Sequence, residues 1–129
     1  MGEKNTEIKV QRDIKLFVYF FIGLVVTTIF TFVYRPYIYE NDINDFGIAG
    51  SAPSFLGLIT TFFFLSYFDS SLSLNKRIFY TGLGGVIYEV LQPYFRTGLF
   101  DWHDIIAILL ATLVLYLCAM ISAISKKKQ

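Results

Sequence analysis

The 129-residue chain has one cysteine, Cys118, and one histidine, His103. No intrachain disulfide can form, and no zinc site built from cysteines and histidines can be assembled. Charge is scarce as well: 16% of residues are charged, against roughly 25% in an average soluble domain. Hydrophobic residues reach 55% and aromatics 19%, with 14 Phe and 9 Tyr. A soluble fold of this size buries too small a fraction of its surface to hide so much apolar area. The composition excludes a disordered chain, a collagen-like chain and a disulfide-rich secreted domain. No basic patch or motif points to nucleic acid, and no cofactor or metal set is present. The lipid bilayer is the partner that remains.

Three stretches carry no charge: 19 residues from Leu16 to Tyr34, 23 from Phe46 to Phe68 and 21 from Ile105 to Ser125. Each can cross about 30 Å of hydrocarbon as a helix. A weaker segment runs from Ile78 to Phe95 and contains Glu89. An isolated polar residue is tolerated in a bundle whose neighbours cover it. The first stretch reads as a retained span and not a signal peptide: it is long for an h-region, and Tyr34-Arg35-Pro36 lacks the small residues of a cleavage site. The expectation is an all-α integral membrane protein forming one domain over 1–129, with spans at about 16–34, 50–68, 78–95 and 104–125. Short loops imply antiparallel neighbours, hence an up-down four-helix bundle. The longest loop is expected from Arg35 to about Ser51. Gly82, Gly84 and Gly85 are read as helix-packing positions, since no strand precedes them and no Lys-Ser/Thr follows.

Lys4, Lys9, Arg12, Lys15, Lys76, Arg77, Lys126, Lys127 and Lys128 fall on one side of this arrangement, and only Arg35 and Arg96 on the other. The positive-inside rule puts both termini in the cytoplasm. Most acids gather on the opposite side: Glu40, Asp42, Asp45, Glu89, Asp101 and Asp104. Acidic residues contribute little to topology, so this clustering calls for another account.

The stretch from Glu89 to Asp104 carries that account. Glu89 and Gln92 are three apart and share a helix face. Arg96 extends that face if Pro93 merely bends the helix, and a Glu89–Arg96 pair that staples the hairpin is then expected. Asp101 or Trp102 suits the start of the last span, and Asp104 too has the character of a helix N-cap. Asp101 and Asp104 stand near the positive N-terminal end of the last span. Trp102, His103, Tyr34, Tyr37, Tyr39 and Tyr94 suit an interfacial aromatic belt. An acid inside a span costs about 2.5–3.5 kcal/mol on insertion scales, which favours function over ornament.

Glu89-Val-Leu-Gln92, then Arg96, then Asp101 and Asp104 leading into an apolar helix, resembles the C-terminal signature of the VanZ-like family, named for a membrane protein linked to teicoplanin resistance. Ile108 stands where that signature has Asn, and Ala111 and Leu115 where it has Gly. The resemblance covers about a quarter of the chain. It implies a bacterial protein of the cytoplasmic membrane whose ligand belongs to the envelope: a lipid-linked headgroup, a glycopeptide antibiotic or a neighbouring protein. On the residues alone, Glu89, Gln92, Arg96, Asp101 and Asp104 are the candidate ligand-binding set. Arg96 and Gln92 supply donors, and the acids suit an amine or a hydrated cation. Two other readings stand beside this one. A membrane-embedded hydrolase or transferase would use Glu89 and Asp104, with His103 assisting, although no nucleophile motif or metal-ligand set is present. A small transporter or channel would have to be a homo-oligomer to enclose a path.

Overall fold

A computed structural model of the chain describes residues 2–69 and 71–129, with side chains described for 14–69 and 71–129. Every described element is helical. The order is α1 (Gly2–Ile29), a π-helical turn (Phe30–Tyr34), α2 (Arg35–Glu40), α3 (Ile48–Phe68), α4 (Leu74–Phe95) and α5 (Trp102–Lys127). Three helical stretches are long and apolar enough to cross a membrane: Ile14–Glu40, Ile48–Phe68 and Trp102–Lys127. α4 matches them in length, with 22 residues, but Lys76, Arg77, Glu89 and Gln92 dilute its apolar character. The side chains of Lys4, Lys9 and Arg12, expected on the basic side, lie outside the described residues.

The first helix runs further than the sequence suggests. Arg35 to Glu40 is not loop: the chain passes through Pro36 and stays helical to Glu40. Proline lacks an N–H and its ring collides with the carbonyl four residues back. The π turn just before it accommodates that clash, with the Arg35 N–H reaching back to the Phe30 carbonyl. The true loop is therefore confined to 41–47. Asn44 turns it by accepting from the Phe46 N–H at 3.1 Å, and Gly47 at φ 83° occupies a left-handed conformation that costs glycine little. Asp45 then caps α3 from outside the helix, its Oδ2 accepting from the Ala49 N–H at 2.6 Å and its Oδ1 from the Gly47 N–H at 3.2 Å, and a bond from Tyr34 Oη to Oδ2 at 3.3 Å ties the loop back to the first rod.

The helices are not arranged as a ring of sequence neighbours. α1 packs along α3, α3 along α5, and α5 along α4; among the described residues α1 does not reach α4 or α5. The α1–α3 seam is close. A Cβ at Gly23 would stand 2.5 Å from Thr60 Oγ1, and Thr27 Oγ1 hydrogen-bonds Thr60 Oγ1 at 3.2 Å. Small residues let two helices approach where lipid supplies no hydrophobic drive between them. Toward the other end the seam becomes aromatic, with Phe17 against Tyr67, Tyr19 against Phe63 and Phe20 against Phe64, ring centroids 5.4, 5.3 and 5.2 Å apart. The core proper lies among α3, α4 and α5, in two groups: Leu58, Ile108 and Ala111 in one, Phe62, Ile78 and Leu115 in the other. Gly82 and Gly85 are packing positions as the sequence suggests. A Cβ on Gly82 would meet Thr112 Oγ1 at 2.6 Å, and one on Gly85 would meet Leu58 Cδ1 at 2.7 Å. Gly84 differs, since a Cβ there meets nothing within 4 Å.

Candidate functional site

That open space belongs to a cavity of about 520 Å³ between α3 and α4, half open to the outside of the helix bundle. From α3 come Pro53, Ser54, Gly57, Leu58, Thr61 and Leu65, spaced at three to four residues as one helix face requires. From α4 come Tyr80, Thr81, Gly84, Gly85, Tyr88, Glu89 and Gln92, again one stripe, and Ile108 of α5 forms the back. Gly57, like Gly84, has nothing within 4 Å of a Cβ position. Two glycines on facing helices thus leave the gap that larger side chains would fill. A second cavity, of about 260 Å³, lies between α3 and α5 and is lined mainly by apolar groups, with His103 at its edge.

Glu89 is 3% exposed and lies at the polar end of the larger cavity. Its Oε2 accepts from Gln92 Nε2 at 2.8 Å, the bond that their i, i+3 spacing allows. Gln92 is held from the loop side as well. A Cβ at Gly98 would run into Gln92 Oε1 and Cδ, so the loop backbone lies directly against that amide. Asp104 is half-buried and accepts from Ser54 Oγ at 2.8 Å, joining α5 to α3. Ser54 lines the cavity, so the Asp104 carboxylate stands immediately behind its wall. No lysine or arginine is among the lining residues.

The expected Glu89–Arg96 staple is not formed. Arg96 is exposed, and among the described residues the only acid–base contact is His103 with Asp101. Pro93 neither ends nor breaks α4, which runs on to Phe95. Arg96 then takes a left-handed conformation, φ 56°, and closes the helix: its N–H bonds the Pro93 carbonyl and the Thr97 N–H bonds the Gln92 carbonyl, at 3.4 and 3.2 Å. This is the paired closure usually built around glycine. It turns the chain one residue too early for the Arg96 side chain to lie on the Glu89 face.

Asp101, not Asp104, is the N-cap of α5. Its Oδ1 accepts from the His103 N–H at 2.9 Å and meets His103 Nδ1 at 2.8 Å. The backbone bond and the ring bond together hold the Asp101 carboxyl below its usual range. Asp104 occupies the first turn instead, where a carboxylate faces the positive end of the helix dipole. Of the five residues singled out in the sequence, the structure brings Glu89 and Gln92 into the cavity and Asp104 to its wall. It puts Asp101 to capping and leaves Arg96 at the surface.

Ser54, Gly57, Thr61, Thr81 and Gly84 were not singled out as site residues. Their signal is a stripe of small and polar residues at helical spacing: 53/54, 57 and 61 on one helix, 81, 84/85, 88/89 and 92 on the other. No family model, no curated protein and no solved structure matches the chain.

Proposed function

We propose that the protein is a four-span membrane protein of the VanZ-like kind, with both termini in the cytoplasm of a bacterium, that binds an envelope ligand at the outer end of the α3–α4 groove without transforming it. The observation that carries the reading is Glu89: a carboxylate 3% exposed, lining a cavity of about 520 Å³, with Gln92 as its hydrogen-bond partner and no cation among the lining residues. A buried acid is expensive inside a membrane, and an apolar residue would pack at lower cost. A purely structural role leaves that expense without compensation. α4 as the fourth span is supported by the way its polar groups turn inward while Leu83, Ile87, Val90 and Leu91 stay exposed, as a lipid-facing helix requires. The excess of basic residues at the termini and in the first turn of α4 supports the orientation.

Complementation of a deletion strain under cell-wall stress tests the binding site. Glu89→Gln and Asp104→Asn at wild-type abundance are expected to fail, while Arg96→Gln and Asp13→Asn restore the phenotype. Full rescue by both cluster variants would remove the site. Reporter fusions after Lys128 and within 41–47 test the orientation. A C-terminal reporter active only outside the cytoplasm would overturn it.

A further inference from the structure

The groove has a polar end and an apolar length, and the two have different demands. Along α4 it runs from Gln92 down to Tyr80, and along α3 from Pro53 to Leu65. Twelve residues of helix rise about 18 Å. That is close to one leaflet, half of a hydrocarbon core of about 30 Å. Below Glu89 the lining is Gly57, Leu58, Leu65, Gly84, Gly85 and Ile108, with Thr61, Thr81 and, at the far end, Tyr80. Both threonine hydroxyls are already committed to backbone, Thr61 Oγ1 to the Gly57 carbonyl at 2.8 Å and Thr81 Oγ1 to the Arg77 carbonyl at 2.7 Å. Apart from the Tyr80 ring and hydroxyl at its far end, the lower groove therefore suits hydrocarbon. Its side opening lies between two helices that lipid would flank, so an occupant can arrive laterally from the bilayer.

The upper end asks for positive charge. Glu89 lines it and Asp104 stands behind Ser54 at 2.8 Å. Asp101 and Asp104 sit at the start of α5 on this side of the groove, and no basic side chain lines it. A phosphate or sulfate head would meet only like charge. An ammonium would meet an acid, an amide and, at Tyr88, an aromatic ring, a residue type that favours cations.

We propose that the α3–α4 groove holds a single-chain amphiphile with a cationic amine head, its head against Glu89 and its chain lying between Gly57 and Gly84. This rests on the ligand-binding reading above and adds the ligand's chemistry. The purified full-length chain, offered an equimolar mixture of hexadecylamine, hexadecanol and hexadecanoic acid in detergent, tests it by native mass spectrometry. The wild type is expected to retain one hexadecylamine, at least tenfold in preference to the alcohol or the acid. Glu89→Gln should lose that preference, and Gly84→Phe should lose all retention by filling the chain's path. Gly57→Leu repeats the block from the opposite helix, should the first variant fold poorly. If the wild type keeps the alcohol or the acid as well as the amine, and Gly84→Phe still abolishes retention, the cationic head is wrong while the groove remains a ligand site. If no amphiphile is retained, or retention ignores both glycine variants, the groove does not bind amphiphiles and the proposal falls entirely, whatever complementation shows for the acids.

Discussion

The α1–α3 seam and the α3–α4 seam are both made by α3, and both use glycine, yet one is shut and the other is open. On the first, Gly23 brings the α1 backbone so near that a Cβ would touch Thr60, and aromatic pairs close the rest. On the second, Gly57 and Gly84 face empty space. Two residues from Gly84, and immediately beside it, Gly82 and Gly85 behave like Gly23, packed against Thr112, Leu58 and Ile108. Glycine in a packed helix thus has two opposite uses, and the neighbouring helix decides which applies. A glycine that another helix covers is a contact, and one that nothing covers leaves a gap.

The sharpest way to break the comparison is to give each glycine a side chain. Gly82→Leu is expected to destabilise the protein by about 1–3 kcal/mol or more, since the α4–α5 contact must shift to admit it. Gly23→Leu should do the same to the α1–α3 seam, both read as lowered unfolding midpoints in detergent. A smaller effect is expected at the polar end. Glu89→Ala leaves the Gln92 amide donor without its acceptor, at a cost of about 1–3 kcal/mol, whereas Glu89→Gln keeps an acceptor and should cost less in the same melts. Gly84→Ala should move the other way, stabilising by about 0.5–1 kcal/mol, because alanine is the better helix former and its methyl meets no neighbour. If Gly82→Ala and Gly84→Ala shift the midpoint equally, the two glycines are not in different environments and the open seam is wrong.

The smallest effect is the pH dependence at the start of α5. The Asp101 carboxyl is held below its usual range in the folded chain by the His103 backbone and ring. Its contribution is therefore complete above the unfolded value of about 3.9 and is lost as pH falls through the lower, folded value. Asp101→Asn keeps a capping oxygen but cannot titrate, so its midpoint should vary less between pH 5 and 2 than that of the wild type.

Much of this was legible in the residues and some was not, for physical reasons. The three apolar stretches announce themselves by length, and Glu89 with Gln92 by their i, i+3 spacing and their cost in a membrane. The passage of the first helix through Pro36 was hidden, because proline ordinarily marks an end and a π turn leaves no trace in composition. The Arg96 side chain was misjudged because face arithmetic assumes helix to the last residue, and a left-handed closure on a non-glycine residue defeats it. Asp101 and Asp104 both suit the start of the last helix, and spacing alone does not choose between two like residues three positions apart; the cap falls to Asp101. The helix order escaped as well, since short loops say which helices are joined, not which are pressed together.

The loop from Arg96 to Asp101 has one further consequence through Gly98. Its backbone rests on the Gln92 amide, with no room for even a methyl group between them, and Gln92 in turn holds Glu89. A surface loop and an interior carboxylate therefore share one neighbour, the Gln92 side chain. A side chain added at Gly98 would have to displace that amide, and so a change made on the surface would be felt at Glu89.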